Sequence, residues 1–342
     1  VRIANVMLGR GKGGLETMAV RYHEALVSKG ADVVSVGRRK GWFAGQVACS
    51  TLADGFGDIG AALSLGRLLK LNEPDVVIAH GTRAYRVARS RWAGPRRKVL
   101  FVAHNARFKP EMAGADGILA VSEPVAAAAR ARFPGTRVEL VENFGKLQFS
   151  PVRARQGRPF RIGALGRLHP NKGFDLLVEA AALMRDRGVE FILEIAGEGD
   201  ERGALEAQIA RHGLRDVVRL TGWTDKPEAF LAGLDLFVLS SRVEPFGLVL
   251  VEAMAAGTPI VSTDIDGPGQ ILRGDLGVLT PPEDPVGLAY AISGALADRV
   301  EGRKRAEAAQ TVAKWRFGFE AGARRLTSVL SAFDPTARDE AA

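Results

Sequence analysis

Two series of short, β-branched apolar runs, separated by helical patterns, constrain this chain more than any other feature. In the first half the runs are Arg2–Leu8, Asp32–Val36, Asp75–Ala79, Lys98–Ala103, Gly117–Val121 and Arg137–Val141. In the second they are Phe160–Leu165, Phe191–Ala196, Val217–Leu220, Leu236–Leu239, Pro259–Ser262 and Gly277–Leu279. Helical stretches such as Glu16–Lys29, Pro124–Arg132, Asp175–Arg187 and Ala204–His212 lie between them. Strands that are apolar on both faces and alternate with helices predict an α/β fold whose parallel sheet is covered on both sides. Two such series in 342 residues predict two doubly wound domains, since one core rarely serves a chain of that length. The polar segment Ser150–Pro159 reads as the linker, and Lys314–Phe333 as an amphipathic helix carrying Trp315, Phe317 and Phe319. Open parallel sheets bind ligands beyond the carboxyl ends of their strands, so the loops there and an interdomain cleft are the expected site.

Charge divides unevenly along the chain. Residues 1–150 hold 23 Lys and Arg against 12 Asp and Glu, whereas residues 151–342 hold 24 against 27. A first half at +11 suggests an anionic partner, although a merely solvated basic surface has the same composition. The lone cysteine, Cys49, excludes an internal disulfide and a cysteine-based zinc framework, and fits a reducing compartment. No apolar run reaches the roughly 18 residues of a membrane span. Val1–Leu8 reads as a strand followed by Arg10 and Lys12, not as a signal peptide. The expectation is a cytoplasmic protein.

Three loops carry candidate chemistry. Gly9-Arg10-Gly11-Lys12-Gly13-Gly14-Leu15-Glu16 is a glycine-rich turn into a helix, where backbone N–H groups approach a phosphate. It has neither the Gly-Lys-Ser/Thr of a P-loop nor the spacing of a dinucleotide fingerprint, and a tight turn without a ligand is the competing reading. Gly166-Arg167-Leu168-His169-Pro170-Asn171-Lys172-Gly173 puts two cations five residues apart after a strand, an arrangement that suits a diphosphate. The third runs from Arg242 to Pro259. Glu252 lies there in a helix apolar nearly all round, so burial is expected, and a buried carboxylate needs a cation or ligand hydroxyls. Glu244 precedes the same helix at its N-terminal mouth.

The Glu-x7-Glu pattern followed by Ala-Met-Ala-Ala-Gly-Thr-Pro-Ile-Val resembles the retaining glycosyltransferases of family 4, which have the GT-B fold. The likeness spans nearly the whole chain: Gly13-Gly14-Leu15-Glu16, Val121-Ser122-Glu123, Gly166-Arg167-Leu168 with Lys172-Gly173, Ala196-Gly197-Glu198-Gly199 and Asp264-Ile265-Asp266-Gly267-Pro268 stand in the family's order. The resemblance implies an acceptor-side domain over residues 1–150, with a C-terminal helix at about 316–342 packing back on it, and a nucleotide-sugar domain over residues 151–315. It gives Glu252 to the donor ribose, Glu244 to the donor sugar, and Arg167 and Lys172 to the diphosphate. Gly13 and Gly14 would let the first domain close on the donor, and the main-chain amides of Phe246, Gly247 and Leu248 would extend the anion site. His104, after the strand Lys98–Ala103, matches the family's histidine near the transferred sugar; His80 reads as acceptor-side or structural. Catalysis would be metal-independent and need no cofactor.

Two positions depart from the family pattern. Glu142-Asn143-Phe144-Gly145-Lys146 stands where Pro-Asn-Gly-Val-Asp is common, and Gln270 where an acidic residue is common. Arg83, Arg86, Arg89, Arg91, Arg96, Arg97 and Lys98 suggest an anionic acceptor, either a lipid-linked saccharide or a lipopolysaccharide core, met at an acidic membrane surface. The expected place is peripheral, on the inner face of the plasma membrane. A same-fold sugar-nucleotide epimerase and a silent nucleotide-sugar-binding subunit are the alternatives. Nucleic acid is not expected as a partner, because the basic stretch lacks interleaved aromatics to stack bases.

Overall fold

The structure is a computed structural model that describes residues 1–52, 57–152 and 157–333. It divides into a unit made of Val1–Gly145 with the segment from Phe317 onward, and a second unit, Lys146–Arg316. Part of the Ser150–Pro159 segment (153–156) and the end of the C-terminal segment (334–342) lie outside the described residues.

In the first unit the order is β1 (Arg2–Met7), α1 (Gly14–Ser28), β2 (Asp32–Arg38), β3 (Cys49–Leu52), α2 (Asp58–Asn72), β4 (Val76–His80) and α3 (Gly81–Arg89). There follow β5 (Lys98–Ala103), β6 (Gly117–Ala120), α4 (Glu123–Arg132) and β7 (Val138–Leu140). The described strands form one parallel sheet in the order β3-β2-β1-β4-β5-β6-β7. Its central strands are buried on both faces: every residue of β4 and β6 is inaccessible. The strand order reverses between β1 and β4, so the glycine loop after β1 and His80 at the end of β4 share the switch point.

The second unit holds β8 (Phe160–Leu165), α5 (Phe174–Asp186), β9 (Phe191–Ala196), α6 (Arg202–Arg211), β10 (Val218–Gly222), α7 (Pro227–Ala232) and β11 (Leu236–Leu239). It continues with α8 (Leu248–Ala255), β12 (Ile260–Thr263), α9 (Asp266–Ile271), β13 (Val278–Thr280), α10 (Pro285–Ala297) and α11 (Arg299–Val312). The parallel order β10-β9-β8-β11-β12-β13 again reverses, here between β8 and β11. Its core joins Ile162, Ala164, Leu193 and Val238 of the sheet to Leu177, Met184, Leu205, Leu288 and Ile292 of the covering helices.

The expected amphipathic helix over Lys314–Phe333 is broken. Ala313–Phe317 forms one wide turn of π geometry, Gly318 is extended, and α12 (Phe319–Ser331) starts afresh. The break returns the chain to the first unit: Gly145 N–H donates to Phe317 O at 3.0 Å, Phe317 is buried, and α12 lies against α1. There is no room for a side chain at Gly322, where Phe144 packs; Phe144 stacks in turn on Tyr22, with ring centroids 6.0 Å apart. Glu142, one of the departures from the family pattern, is buried and pairs with Arg325 of α12 at 3.5 Å.

Candidate active site

In the second unit the site grows from the switch point. The loops after β8 and β11, neighbours in the sheet, carry Arg167 with Lys172 and Glu244 respectively. The loop after β8 is held by its backbone: Gly166 N–H donates to Ala196 O at 3.0 Å, and Leu168 N–H to Glu198 O at 2.9 Å. Pro170–Lys172 then makes one tight turn, with Lys172 N–H on His169 O at 2.8 Å and the His169 Nδ1 accepting from Asn171 N–H at 3.2 Å. His169, given no function from the sequence, thus caps this turn. Gly173 follows with φ +60°, and a Cβ there would collide with the Ser240 carbonyl. Ser240 Oγ also donates to Lys172 O at 3.0 Å, so the two loops are stitched at that glycine.

Arg242 secures the arrangement. Its guanidinium forks onto Asp175 at 2.6 and 2.7 Å, meets Glu283 at 2.5 Å, and donates to Pro170 O at 3.0 Å. The paired carboxylates raise its pKa above the ordinary arginine value, with Asp175 the larger cause. Burial opposes ionisation of Asp175, but the hydrogen bonds from Arg242 hold its pKa below the usual carboxylate value. Bidentate Arg–carboxylate pairs add geometric specificity as well as energy. Neither Arg242 nor Asp175 stood out as a site residue, because 67 residues separate them and only the fold joins them.

These anchors present the predicted residues. Lys172 packs its stem against Gly166 and brings Nζ to within 2.5 Å of Glu244 Oε2, their side chains 23% and 14% exposed. Arg167 is exposed and has no hydrogen-bond or ion-pair partner among the described residues. Phe246 and Gly247 are buried, Gly247 in the left-handed region, and α8 begins at Leu248 with no side-chain cap on its N-terminus. A helix start without a side-chain cap leaves N–H groups for an anion. Glu252 corrects one expectation: it lies on α8 but is only partly buried, because Leu250, Val251, Ala253 and Met254 take up the core-facing side.

In the first unit, Gly13 caps α1 and Gly14 opens it. The Glu16 side chain folds back into this loop, its carboxylate lying where a Cβ of Gly9 would stand and 3.1 Å from the place of a Cβ at Gly13. His104, just past β5, is partly buried, and desolvation pulls its pKa down to about 4. Burial first, and then the neighbouring His104, hold His80 well below the ordinary imidazole value. The two rings meet through His80 Nδ1 and His104 Nε2 at 3.4 Å, while His80 Nε2 lies 2.9 Å from Asn5 Oδ1.

The basic cluster is more structural than its composition suggests. Arg83 and Arg86 both hold Asp58, Arg89 holds Asp116, and Lys98 Nζ donates to Phe333 O. Among the described residues no group of three or more His, Cys, Asp or Glu side chains could hold a metal ion, and no helix is long and apolar enough to cross a membrane.

Two family models match consecutive parts of the chain: Glycosyltransferase Family 4 over residues 12–147 and Glycosyl transferases group 1 over residues 147–315. The chain belongs to glycosyltransferase family 4. Its relatives include lipopolysaccharide core biosynthesis glycosyltransferase LpsD of Rhizobium meliloti, 30% identical over 238 residues, which cover 67% of this chain and 66% of LpsD. Another is glycogen synthase of Mycobacterium tuberculosis, 38% identical over 165 residues, 47% of this chain and 40% of that enzyme. The matched segments thus span less than two thirds of these relatives. Among solved structures, Anabaena Alr3699/HepE in complex with UDP-glucose superposes with a TM-score of 0.82 at 22% identity, over 97% of this chain and 99% of that one. The family 4 fold is GT-B, two doubly wound Rossmann-like units.

Proposed function

We propose that this chain is a retaining hexosyltransferase that takes a sugar from a nucleoside diphosphate donor and passes it to a membrane-associated saccharide or lipid-linked acceptor. The observation that carries the reading is the cluster at the β8/β11 switch: Arg167 and Lys172 on one loop, Glu244 and the uncapped start of α8 on the next, and Glu252 on the helix itself. A nucleoside diphosphate sugar needs cationic charge at its two phosphates, acceptors for its ribose hydroxyls and acceptors for its sugar hydroxyls. The cluster has one group for each need. That HepE binds UDP-glucose supports a UDP-sugar donor, and the likeness to LpsD supports an acceptor of the lipopolysaccharide type.

In this reading the bond from the anomeric carbon to the diphosphate breaks as the acceptor oxygen approaches the same face, and the acceptor proton passes to the departing phosphate oxygen. Arg167, Lys172 and the amides of Phe246, Gly247 and Leu248 stabilise the charge that develops on the leaving group. Those cations do the work of a divalent metal, so activity is expected to survive chelation with EDTA. Glu252 goes to the ribose and Glu244 to the sugar, which favours front-face substitution over a double displacement. In the unliganded chain Glu244 is held by Lys172; a diphosphate on Lys172 would release that carboxylate to the sugar hydroxyls. The test is to incubate the protein with UDP-, GDP- and ADP-sugars and lipid extracts, and to determine the anomeric configuration of the product by NMR. An inverted product would overturn the mechanism, and an altered donor released without acceptor would favour an epimerase.

For the membrane we propose the outer face of α2. Ile59, Leu63, Arg67, Lys70 and Leu71 are all exposed and fall within about 120° of one helix face, Leu71 at 81%. The turn Arg91–Ala93 borders this stripe, with the Ala93 backbone against Gly66, Trp92 42% exposed and the Arg91 guanidinium over its ring at 4.8 Å. Apolar side chains, an interfacial tryptophan and flanking cations suit the headgroup region of an anionic bilayer. Arg67→Ser with Lys70→Ser should weaken binding to phosphatidylglycerol vesicles about tenfold or more, at roughly 1 kcal/mol per cation. Wild-type binding that is insensitive to salt would count against this surface.

A further inference from the structure

The hydrogen bonds around His104 settle which of its nitrogens carries the proton. Asn5 donates from Nδ2 to the Ala19 carbonyl at 3.0 Å, which fixes the orientation of its amide and turns Oδ1, an acceptor only, toward His80. His80 Nε2 must therefore be the donor in the 2.9 Å contact. His80 is buried and neutral, so its Nδ1 is bare and can only accept. His104 Nε2, 3.4 Å away, then supplies the proton, and the His104 Nδ1 is left without one. That Nδ1 has no hydrogen-bond partner among the described residues, and His104 is only partly buried.

We propose that Asn5 and His80 are positioning residues that lock His104 as the Nε2–H tautomer, so that its bare Nδ1 accepts a hydrogen bond from a substrate hydroxyl. His104 would then select a hydroxyl-bearing ring position and hold it as an acceptor, not as a donor or a cation. This rests on the reading that His104 lies near the transferred sugar. The relay begins deep in β1, at a residue that touches no ligand. His80 is wedged edge-on against Tyr22, with ring centroids 4.9 Å apart, which keeps its ring from turning over. Histidine tautomers are set in this way by the bond that the other ring nitrogen makes.

The test is long-range 1H–15N NMR of the histidine-labelled full chain at neutral pH. Both His80 and His104 are expected as Nε2–H tautomers, with an unprotonated Nδ1 signal on each. Asn5→Asp sets a carboxylate beside the buried His80, which favours its imidazolium and should turn the His104 pattern to Nδ1–H; Asn5→Ala should shift it toward a mixture and lower kcat several-fold while leaving donor KM within about twofold. A protonated or averaged His104 Nδ1 in the wild type would overturn the proposal, and that measurement needs no variant to fold. Adding UDP-glucose separates the two layers. A shift of the His104 Nδ1 signal supports its contact with the sugar, whereas a locked tautomer that ignores every donor and acceptor would keep the relay and refute the placement by the sugar.

Discussion

Lys172→Ala is expected to lower kcat about 10²- to 10³-fold, the range seen when one preorganised group facing developing negative charge is removed. Two effects combine. The leaving diphosphate loses a point charge, and Glu244, now paired with that ammonium at 2.5 Å, is left facing the phosphates without it. The second effect is separable. Lys172→Ala with Glu244→Gln removes the stranded carboxylate and should restore donor binding toward the Glu244→Gln level, with kcat still low. A double-mutant cycle on donor affinity and kcat measures the coupling between the pair. Lys172→Arg should recover only part of kcat, since a planar guanidinium does not replace a compact ammonium at a stitched turn. The variants should fold, because the turn is held by Gly173, Ser240 and Arg242 rather than by the lysine side chain. A Lys172→Ala enzyme within threefold of wild type would remove the diphosphate from this loop.

The fold was legible where burial is two-sided. Lys98–Ala103 and Leu236–Leu239 are strands with the bounds their sequence predicts, because an apolar run has no other place in a doubly wound sheet; Phe160–Leu165 and Phe191–Ala196 also keep their bounds, their charged residues Arg161 and Glu194 pairing with each other across the two strands. Cys49–Leu52 escaped notice for the opposite reason. It is an edge strand of four residues that pairs with β2 alone, and its partly exposed Cys49, Ser50 and Thr51 give no apolar run to read. The break at Gly318 was hidden because helical periodicity continues across it, and only the pairing of Phe317 with Gly145 sets the register of α12. For the site, the cations and acids proposed to meet the donor sit in short motifs. Arg242 with Asp175 and Asn5 with His80 act through partners about 70 residues apart, and no local spacing reveals them. In the Arg-rich stretch most cations bind carboxylates and carbonyls of their own unit, pairings that composition does not reveal.

Glu252→Ala is expected to raise the donor Kd about 10²-fold, and the position of Glu252 in the helix makes that measurement interpretable. A carboxylate accepting from both ribose hydroxyls makes two hydrogen bonds to a charged group, each worth about 1.5–3 kcal/mol, against the water it gives up when the donor arrives. Had Glu252 been buried in the core, its removal would have left a cavity and confused a loss of binding with a loss of structure. It is partly exposed, on a helix whose core-facing contacts are made by Leu250, Val251, Ala253 and Met254. Alanine is also the residue most compatible with a helix interior. The melting temperature should therefore stay within a few degrees of wild type while affinity falls. The decisive comparison is between the natural donor and its 2′-deoxy analogue. Wild type should prefer the ribonucleotide by tenfold or more, Glu252→Ala should lose that preference, and Glu252→Gln should keep a part of it through its remaining carbonyl. An undiminished preference for ribose in Glu252→Ala would move ribose recognition to another residue and leave Glu252 as a surface acid of α8.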